Sequence, residues 1–318
     1  MTTSPPAGET NPTLADLGEF GLITRVTAGR AQPAATLLGP GDDAAVVAAP
    51  DGRVVATTDV AVEGVHFRRD WSSAYDVGRK TAAANLADVM AMGGTATALL
   101  VGLVAPPDLP EAWALGLADG LRDEAALVGA AVVGGDTVRG DRLVVSVTAL
   151  GDLGGRRPVT RSGARPGDVV VVSGLLGGSG AGLRELQQGR RSGPLVELHR
   201  RPRPPYTLGP ALADLGVTAM CDLSDGLVVD LGRLCRASGV RAELDTAAVP
   251  RPDGATEHDG LHGGEDHGVL ATVPLGLLAQ AEELGLTGVG RVREGSGVVD
   301  LDGRPVAAQG WQHFGAAG

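Results

Sequence analysis

The stretch from residue 41 to residue 67 concentrates oxygen-bearing side chains of the kinds that bind a hard cation. These side chains are Asp42, Asp43, Thr57, Thr58 and Asp59. An Asp51-Gly52 pair between two alternating apolar runs predicts a β-hairpin. This hairpin would bring the pair of acids at 42–43 next to the side chains at 57–59, at one end of its two strands. Carboxylates so close repel unless a cation neutralises them, and oxygen ligands suit Mg²⁺. The alternative is that Asp42 and Asp43 only cap a turn.

A second acidic position lies inside a helix predicted over residues 72–92, which Ser73 and Asp76 would begin as a capping box. Asn85 and Asp88 are spaced i, i+3 and therefore share one face of that helix. Their neighbours are Ala, Leu, Val and Met, so a buried carboxylate here needs a partner, which a metal held by the hairpin acids would supply. The alternative is a solvated polar stripe.

Two further acidic segments follow strands. Gly134-Gly135-Asp136-Thr137 comes after a predicted buried strand, and its glycines would let backbone N–H groups approach a phosphate while Asp136 reaches the metal. Asp222, Ser224 and Asp225 lie where a strand ends and a helix begins, a favourable place for metal and phosphate. The alternatives are an ordinary turn for the first segment and a helix N-cap at Ser224 or Asp225 for the second.

Arg161 precedes a predicted strand and is either a phosphate clamp or a solvated surface charge. The glycine-rich segment Gly174–Gly182 matches neither the Walker A pattern nor the dinucleotide fingerprint. We therefore interpret it as a place of close packing and not as the nucleotide site.

The surrounding pattern predicts an α/β (α+β) protein of two domains. Residues 1–13 are polar and Pro-rich and predict a disordered tail, and a Gly- and Arg-rich junction places the domain boundary near residue 155. Helices are predicted over 14–28, 72–92, 109–129 and from 226 to about 237. Strands are predicted over 95–104, 130–133, 142–150, 169–173 and 268–273.

Composition excludes several classes of function. The net charge of −11 argues against nucleic acid or an anionic membrane as the main partner. Cys221 and Cys235 form no C-x-x-C pair, so neither zinc nor redox chemistry is supported. No apolar run reaches membrane-spanning length and no signal-peptide pattern opens the chain, so we predict a cytoplasmic protein.

Taken in order, seven segments resemble the thiamine-monophosphate kinase family of the aminoimidazole-ribonucleotide-synthetase superfamily. The resemblance extends from Gly18 to Phe314, nearly the whole chain. The segments are Gly41–Ala44, Thr57–Asp59 with Glu63–Phe67, Asn85–Asp88 with Ala91–Gly93, Gly134–Thr137, Thr160–Ala164, Asp222–Gly226 and Gly263–Asp266.

The resemblance implies an N-terminal domain (14–155) that contains a mixed sheet with helices and binds ATP and Mg²⁺. It also implies that the sheet of this domain pairs with the same sheet of a second subunit in a homodimer. It implies a C-terminal α/β domain (156–318) that completes the nucleotide and substrate site. The implied reaction passes the γ-phosphoryl group of ATP directly to thiamine monophosphate, with several Mg²⁺ ions, and gives thiamine diphosphate and ADP. No nucleic acid or membrane partner is implied.

The resemblance also implies roles for individual residues. The implied metal ligands are Asp43, Thr57, Thr58, Asp59, Asp88, Asp136, Asp222 and Asp225. The implied ATP contacts are Gly135, Asp136, Arg161 and Ser224. The implied substrate contacts are His66, Glu265 and Trp311. The acceptor is already an anionic oxygen, so no general base is assigned, and positioning and charge neutralisation carry the transfer.

This chain departs from the family pattern in two places. It has His267-Gly268-Val269 where the family usually carries Tyr-Glu-Leu, and Pro205 where an Arg is usual. Two other functions stay open: another ATP-using enzyme of the superfamily, and a non-catalytic scaffold that binds divalent cations. A selenide-activating enzyme would need a reactive Cys near its N-terminus, whereas the first Cys here is Cys221.

Overall fold

The computed structural model describes residues 13–29, 32–39 and 45–306, without the side chains of residues 18–20. The elements up to residue 152 are α1 (Leu14–Thr27), β1 (Thr36–Leu38), β2 (Val46–Val47), β3 (Val55–Val62), α2 (Ala74–Ala91), β4 (Thr95–Ala105), α3 (Glu111–Ala126), β5 (Ala131–Arg139) and β6 (Val144–Asp152). The following strands are β7 (Val169–Ser173), β8 (Ala219–Asp222), β9 (Val240–Leu244), β10 (Val269–Val273), β11 (Leu286–Glu294), β12 (Val299–Leu301) and β13 (Arg304–Val306). The helices among them are α4 (Gly178–Gln187), α5 (Pro194–Arg200), α6 (Leu208–Leu215), α7 (Leu227–Ser238), α8 (Glu257–His262) and α9 (Leu278–Glu283).

Four strands form a mixed sheet in the order β3-β6-β4-β5, in which β6 runs antiparallel to β3 and β4 while β4 and β5 are parallel. On one face, Val145 and Val147 of β6 are fully buried in a core shared with α2 and α3. The other face leaves Val60, Leu100 and Val138 exposed by 49%, 36% and 47%. The mixed sheet predicted from the sequence is confirmed.

Seven strands form a second sheet in the order β13-β12-β9-β11-β7-β10-β8. Every residue of β7, β10 and β8 is buried, so these strands are covered on both faces. Leu231 and Leu234 of α7 belong to the core on one face. Leu212 of α6 and Ala281 of α9 belong to the core on the other.

Helix α2 lies between the two sheets, which explains why 14 of its 18 residues are buried. Leu86 and Val89 join the core of the first sheet, whereas Met90 joins a core with Met220 of β8. The polar residues of α2 are therefore presented where the two sheets meet. Lys80 is only 8% exposed there.

Both ends of α2 follow local signals in the sequence. The hydroxyl of Ser73 accepts from the backbone N–H of Asp76, and the Asp76 carboxylate accepts from the backbone N–H and the hydroxyl of Ser73. Beyond the last turn, Gly93 has φ 79°, a conformation that glycine adopts at little energetic cost. The predicted capping box is confirmed.

The predicted hairpin around Asp51-Gly52 is wrong. β2 pairs with β1 in a separate two-stranded sheet, and β3 pairs along its eight residues with β6. The local turn does exist, because the carboxylate of Asp51 accepts from the backbone N–H of Arg53. An eight-residue pairing with the central strand β6 stabilises β3 more than the two-residue β2 could, so the long-range partner prevails.

The Gly134-Gly135-Asp136-Thr137 segment is not a turn either, since it lies inside β5. A Cβ at Gly135 would lie 1.9 Å from the carbonyl oxygen of Val101, so the close approach of β4 requires glycine. The close packing predicted for residues 174–182 is confirmed, because a Cβ at Gly177 would lie 2.5 Å from the backbone of α8.

Some predictions reach beyond these elements. The domain boundary near residue 155 stays a prediction, as does the tail over 1–13, of which only Thr13, the N-cap of α1, is described. Asp43 and Trp311 lie outside the described residues. Within the described ranges no helix combines the length and the apolar character that crossing a membrane requires.

Candidate active site

Three acidic side chains from three different elements meet beside α2. Asp59 lies on β3, Asp88 on α2 and Asp222 at the end of β8. Burial, helped by the negative charges of Asp222 and Asp59, raises the pKa of Asp88 to about 7. The three carboxylates are therefore close enough to disfavour one another's ionised form.

Two hydrogen bonds fix β3 against α2 at this point. The Thr57 hydroxyl donates to Asp88 Oδ2 at 2.7 Å, and the backbone N–H of Asp59 donates to Asn85 Oδ1 at 3.1 Å. Asn85 is fully buried, so its amide orients the strand instead of facing solvent. The predicted shared face of Asn85 and Asp88 is thus turned towards β3, and the alternative of a solvated stripe is wrong.

Asp59 adds to the same concentration of negative charge. It retains an exposed surface, yet the surrounding protein raises its pKa by desolvation, and Asp222 and Asp225 raise it further. His267 and His66 act in the opposite direction. This charge distribution fits a bound cation, which would remove the repulsion. In the part of the chain that is described, no three or more His, Cys, Asp or Glu residues already stand in a metal-binding arrangement.

Two of the predicted ligands lie apart from this cluster. The Thr58 hydroxyl donates to the Val147 carbonyl at 3.1 Å and accepts from Thr148, on the sheet face opposite Thr57. Asp136 lies on the edge strand β5, with β6 and β4 between it and β3, about 14 Å away by strand spacing. Within one chain the structure does not bring Asp136 to Asp59, and both roles as ligands stay predictions.

The loop between β8 and α7 carries Ser224 and Asp225. The backbone N–H groups of both residues donate to Asp230 Oδ2, at 3.1 and 3.0 Å, and the Arg233 guanidinium pairs with the carboxylates of Asp225 and Asp230. Gly226 is the N-cap of α7 and no side chain caps it. The alternative of a simple cap at Ser224 or Asp225 is therefore wrong, and Asp230 holds the loop in place.

Arg161 lies in the segment next to β8, since the backbone N–H of Met220 donates to the carbonyl of the preceding residue, Thr160. The Arg161 carbonyl accepts from the hydroxyl of Ser238, the last residue of α7, at 2.9 Å. Its guanidinium lies beside the buried thiol of Cys221, the residue before Asp222. Arg161 is exposed, and the residue it contacts, Cys221, is the direct neighbour of Asp222 in the acidic cluster. This position is compatible with a phosphate clamp at the edge of the cluster.

Glu265 and His267 come from a loop with unusual backbone geometry. Their φ angles are 65° and 53°, in the left-handed region that few residues other than glycine adopt and that is rarer for Glu than for His. Glu265 Oε2 accepts from Lys80 Nζ at 2.8 Å, and His267 Nδ1 lies 3.3 Å from Asp222 Oδ2. Backbone N–H groups of both residues donate to the carbonyls of Ser224 and Leu223, each at 2.8 Å. The loop therefore places Glu265 and His267 beside the acids.

His66 reaches the site from the segment after β3. Its Nδ1 accepts from the backbone N–H of Val62 at 3.0 Å. The ring is close enough to Asp59 for its positive charge to lower the pKa of that carboxyl group. The structure thus brings together most of the predicted residues among those described: Thr57, Asp59, His66, Asp88, Asp222, Asp225 and Glu265.

Sequence reasoning assigned no site role to Lys80, His199, Asp230 or His267, which the structure places in or beside the site. A signal existed for Lys80, which precedes Asn85 and Asp88 on a strongly apolar helix. In the sequence His267 is recognisable only as a departure from the family pattern. No local pattern marked His199.

Comparison with known proteins identifies the relatives of this chain. The family model for AIR synthase related protein, N-terminal domain, matches residues 41–153, and the model for the C-terminal domain matches residues 165–300. Thiamine-monophosphate kinase from Mycobacterium tuberculosis (strain CDC 1551 / Oshkosh) is 46% identical over 329 residues, which cover 96% of this chain and 94% of the relative. The chain belongs to the thiamine-monophosphate kinase family.

Solved structures of this kinase family share the fold. Thiamine-monophosphate kinase from Stenotrophomonas maltophilia K279a is similar with a TM-score of 0.80 and 33% identity, covering 89% of this chain and 95% of that one. AaThiL complexed with AMPPCP and TMP is similar with a TM-score of 0.78 and 33% identity, covering 96% and 100%. The two-domain architecture expected of a thiamine-monophosphate kinase is therefore found along nearly the whole chain.

Proposed function

We propose that this protein is an ATP-dependent kinase that transfers the γ-phosphoryl group of ATP to thiamine monophosphate, giving thiamine diphosphate and ADP. The observation that carries this proposal is the convergence of Asp59, Asp88 and Asp222 beside α2 in a chain that belongs to this family. A relative of the same fold has been solved with AMPPCP and TMP.

We propose that several Mg²⁺ ions are held by the acidic cluster. The described ligands would be Asp59, Asp88, Asp222 and Asp225, and the predicted set adds Asp43, Thr57, Thr58 and Asp136. When bound, Mg²⁺ supplies neutralisation of the charge on donor and acceptor phosphates, whose mutual repulsion is the main obstacle to transfer. The protein residues hold and orient the two phosphate groups, and none of them needs to act as a general base.

Other residues would bind the two substrates. We propose Gly135, Asp136, Arg161 and Ser224 as ATP contacts, with the Arg161 guanidinium adding positive charge near the phosphates. We propose His66, Glu265 and Trp311 as contacts of thiamine monophosphate. An ionised Glu265 suits this substrate because thiamine carries a permanent positive charge on its thiazolium ring.

We propose that the protein is a homodimer that functions in the cytoplasm. One face of the four-stranded sheet exposes three large apolar side chains, Val60, Leu100 and Val138, which supports pairing with a second copy. The two cysteines are buried and free, which supports a reducing compartment. Asp136 and Asp59 lie on opposite edge strands of the sheet within one chain, so an Asp136 that binds the same metal ions would have to come from a second copy.

The reaction is tested with purified protein, MgATP and thiamine monophosphate, with thiamine diphosphate and ADP quantified by chromatography. Free thiamine in place of the monophosphate and EDTA in place of Mg²⁺ are the controls. We expect equal amounts of the two products only with the monophosphate and the metal. ADP without thiamine diphosphate would indicate another acceptor, and a folded protein without any turnover would contradict the proposal.

A further inference from the structure

A buried row of polar side chains leads from helix α4 to Glu265. Ser179 Oγ lies 3.0 Å from His199 Nδ1, His199 Nε2 lies 3.5 Å from Lys80 Nζ, and Lys80 Nζ donates to Glu265 Oε2 at 2.8 Å. Ser179, His199 and Lys80 are 2%, 5% and 8% exposed. The row joins α4, α5 and α2, and only Glu265, with a third of its side chain exposed, reaches solvent.

The chemistry of Lys80 fixes the direction of these hydrogen bonds. An ammonium group only donates, so His199 Nε2 must accept from it. The imidazole proton then resides on Nδ1 and is donated to Ser179 Oγ. Burial, together with the positive charge of Lys80, lowers the pKa of His199 to about 3, so the ring is neutral at physiological pH as this arrangement requires.

The beginning of the row is itself held in place. Asp266, the neighbour of Glu265, accepts from the backbone N–H groups of Gly177 and Ser179 at 2.5 and 2.9 Å, at the start of α4. Adjacent residues of one loop are therefore attached to two different helices, Asp266 to the start of α4 and Glu265 to Lys80 of α2. This double attachment explains how the left-handed backbone at Glu265 is maintained.

A lysine side chain has four rotatable bonds and does not hold a fixed position without partners. Lys80 has two partners in this row, His199 and Glu265. Burial alone would raise the pKa of Glu265, but the charge of Lys80 reverses this and lowers it. The carboxylate that faces the cleft is thereby kept ionised and oriented.

We propose that His199 is a positioning residue that holds Lys80 against Glu265 and so prepares Glu265 to bind the cationic organic part of the substrate. The proposal rests on the proposed function, since it takes thiamine monophosphate as that substrate. His199 Nδ1 also lies 3.6 Å from Glu265 Oε2, but this distance is longer than a hydrogen bond and Nδ1 has Ser179 Oγ as its nearer partner. The effect of His199 is transmitted through Lys80.

The test compares two substitutions of similar size. His199→Gln places an amide oxygen near the position of Nε2 and retains an acceptor for Lys80, whereas His199→Asn retains a group only near Nδ1. For His199→Asn we expect a rise of about tenfold or more in the KM for thiamine monophosphate, as for loss of a hydrogen bond to a charged group. The KM for ATP and kcat should change by less than about threefold. His199→Gln should restore the KM to near its wild-type value.

Calorimetric titration of thiamine monophosphate without ATP measures the same loss independently of turnover, and thermal unfolding checks that each variant folds. Ser179→Ala is the second variant, since it removes only the far partner of the ring, and a smaller rise in KM is expected. If both variants raised the KM for ATP and the KM for thiamine monophosphate equally, and in proportion to their loss of Tm, His199 would be merely structural. That result would overturn the positioning role. Wild-type protein that neither turns over nor binds thiamine monophosphate would instead overturn the proposed function.

Discussion

The Thr57 hydroxyl donates a 2.7 Å hydrogen bond to Asp88 Oδ2, and this contact joins β3 to α2 at the centre of the acidic cluster. Asp88 is the acid whose pKa is raised to about 7, chiefly by burial and then by Asp222. One predicted ligand thus positions another within the protein itself. Neutralisation by a cation is the simplest way to offset the repulsion that this arrangement creates.

If the cluster holds Mg²⁺, Asp59→Asn and Asp88→Asn should each lower kcat by at least about a hundredfold, as for removal of a charge-stabilising group in phosphoryl transfer. Both proteins should remain folded, because asparagine retains the shape of aspartate. The measurement is the product assay together with thermal unfolding. Asp119→Asn, on the exposed side of α3, is the control and should retain activity. Full activity in Asp59→Asn would refute the cluster as the metal site.

Thr57 and Thr58 provide a comparison of neighbouring residues on opposite sheet faces. Thr57→Val removes the donor to Asp88, whereas Thr58→Val removes only contacts with Val147 and Thr148. We therefore expect Thr57→Val to raise the Mg²⁺ concentration needed for half-maximal rate by several-fold, and Thr58→Val to raise it less. Titration of activity with Mg²⁺ measures both. A larger effect of Thr58→Val would mean that the strand binds the metal from its open face.

The effect of Mg²⁺ on stability should depend on pH. In the metal-free protein the folded-state pKa of Asp88 is about 7, above its ordinary value of 3.8, so the native state binds more protons than the unfolded state between these values. Its contribution to the free energy of unfolding therefore falls as pH rises through that window. If Mg²⁺ binds the ionised carboxylates, it should raise Tm more at pH 8 than at pH 5.5.

Differential scanning calorimetry with Mg²⁺ or EDTA at the two pH values measures this difference. In Asp88→Asn the Mg²⁺-dependent rise in Tm at pH 8 should shrink. Equal stabilisation at both pH values in the wild-type protein would show that Mg²⁺ does not bind at these acids.

His199 predicts a pH dependence of the opposite sign. Its folded-state pKa is lowered to about 3 from 6.5, so below pH 6.5 the unfolded state binds a proton that the native state does not. Its contribution to stability is lost as pH falls, by about 2 kcal/mol between pH 6.5 and pH 5. His199→Gln has no such titration, so the Tm difference between wild type and variant should narrow by roughly 4 °C from pH 7.5 to pH 5. A constant difference would mean that the ring is protonated in the native state.

The parts of the fold that local sequence signals determine were predicted well. The predicted bounds of α1, α2 and β7 agree with the structure to within a few residues. Capping residues and apolar runs near each boundary determine them. The pairing of β3 did not follow from such signals, because its partner β6 lies about 90 residues away and Asp51-Gly52 encodes only the turn beside it. Long-range pairing is decided by which faces become buried, which a turn does not record.

The acidic cluster could be predicted in composition but not in full geometry. Asp59, Asp88 and Asp222 were expected together because their segments resemble one family, and the structure brings them together. The row from His199 to Glu265 could not be predicted, since its members are up to 185 residues apart and no motif contains them. A neutral buried histidine becomes recognisable only when its partners are in place.

The open face of the four-stranded sheet gives the last prediction. Val60 on β3 and Leu100 on β4 lie on the same exposed face with β6 between them, and pairing with a second copy would bury both. A lysine placed there would be an unpaired charge inside the interface, at a cost of at least about 2 kcal/mol. Val60→Lys and Leu100→Lys should each raise the dimer Kd by at least about thirtyfold.

Sedimentation velocity over a range of concentrations measures that Kd, with circular dichroism to confirm folding. Val54→Lys is the matched control, because Val54 is 53% exposed but lies before β3. Its dimer should be as stable as that of the wild-type protein. This face would be ruled out as the interface if the wild-type protein sedimented as a monomer, or if its dimer were insensitive to lysine at both positions. Asp136 would then not lie near the acidic cluster of a second copy.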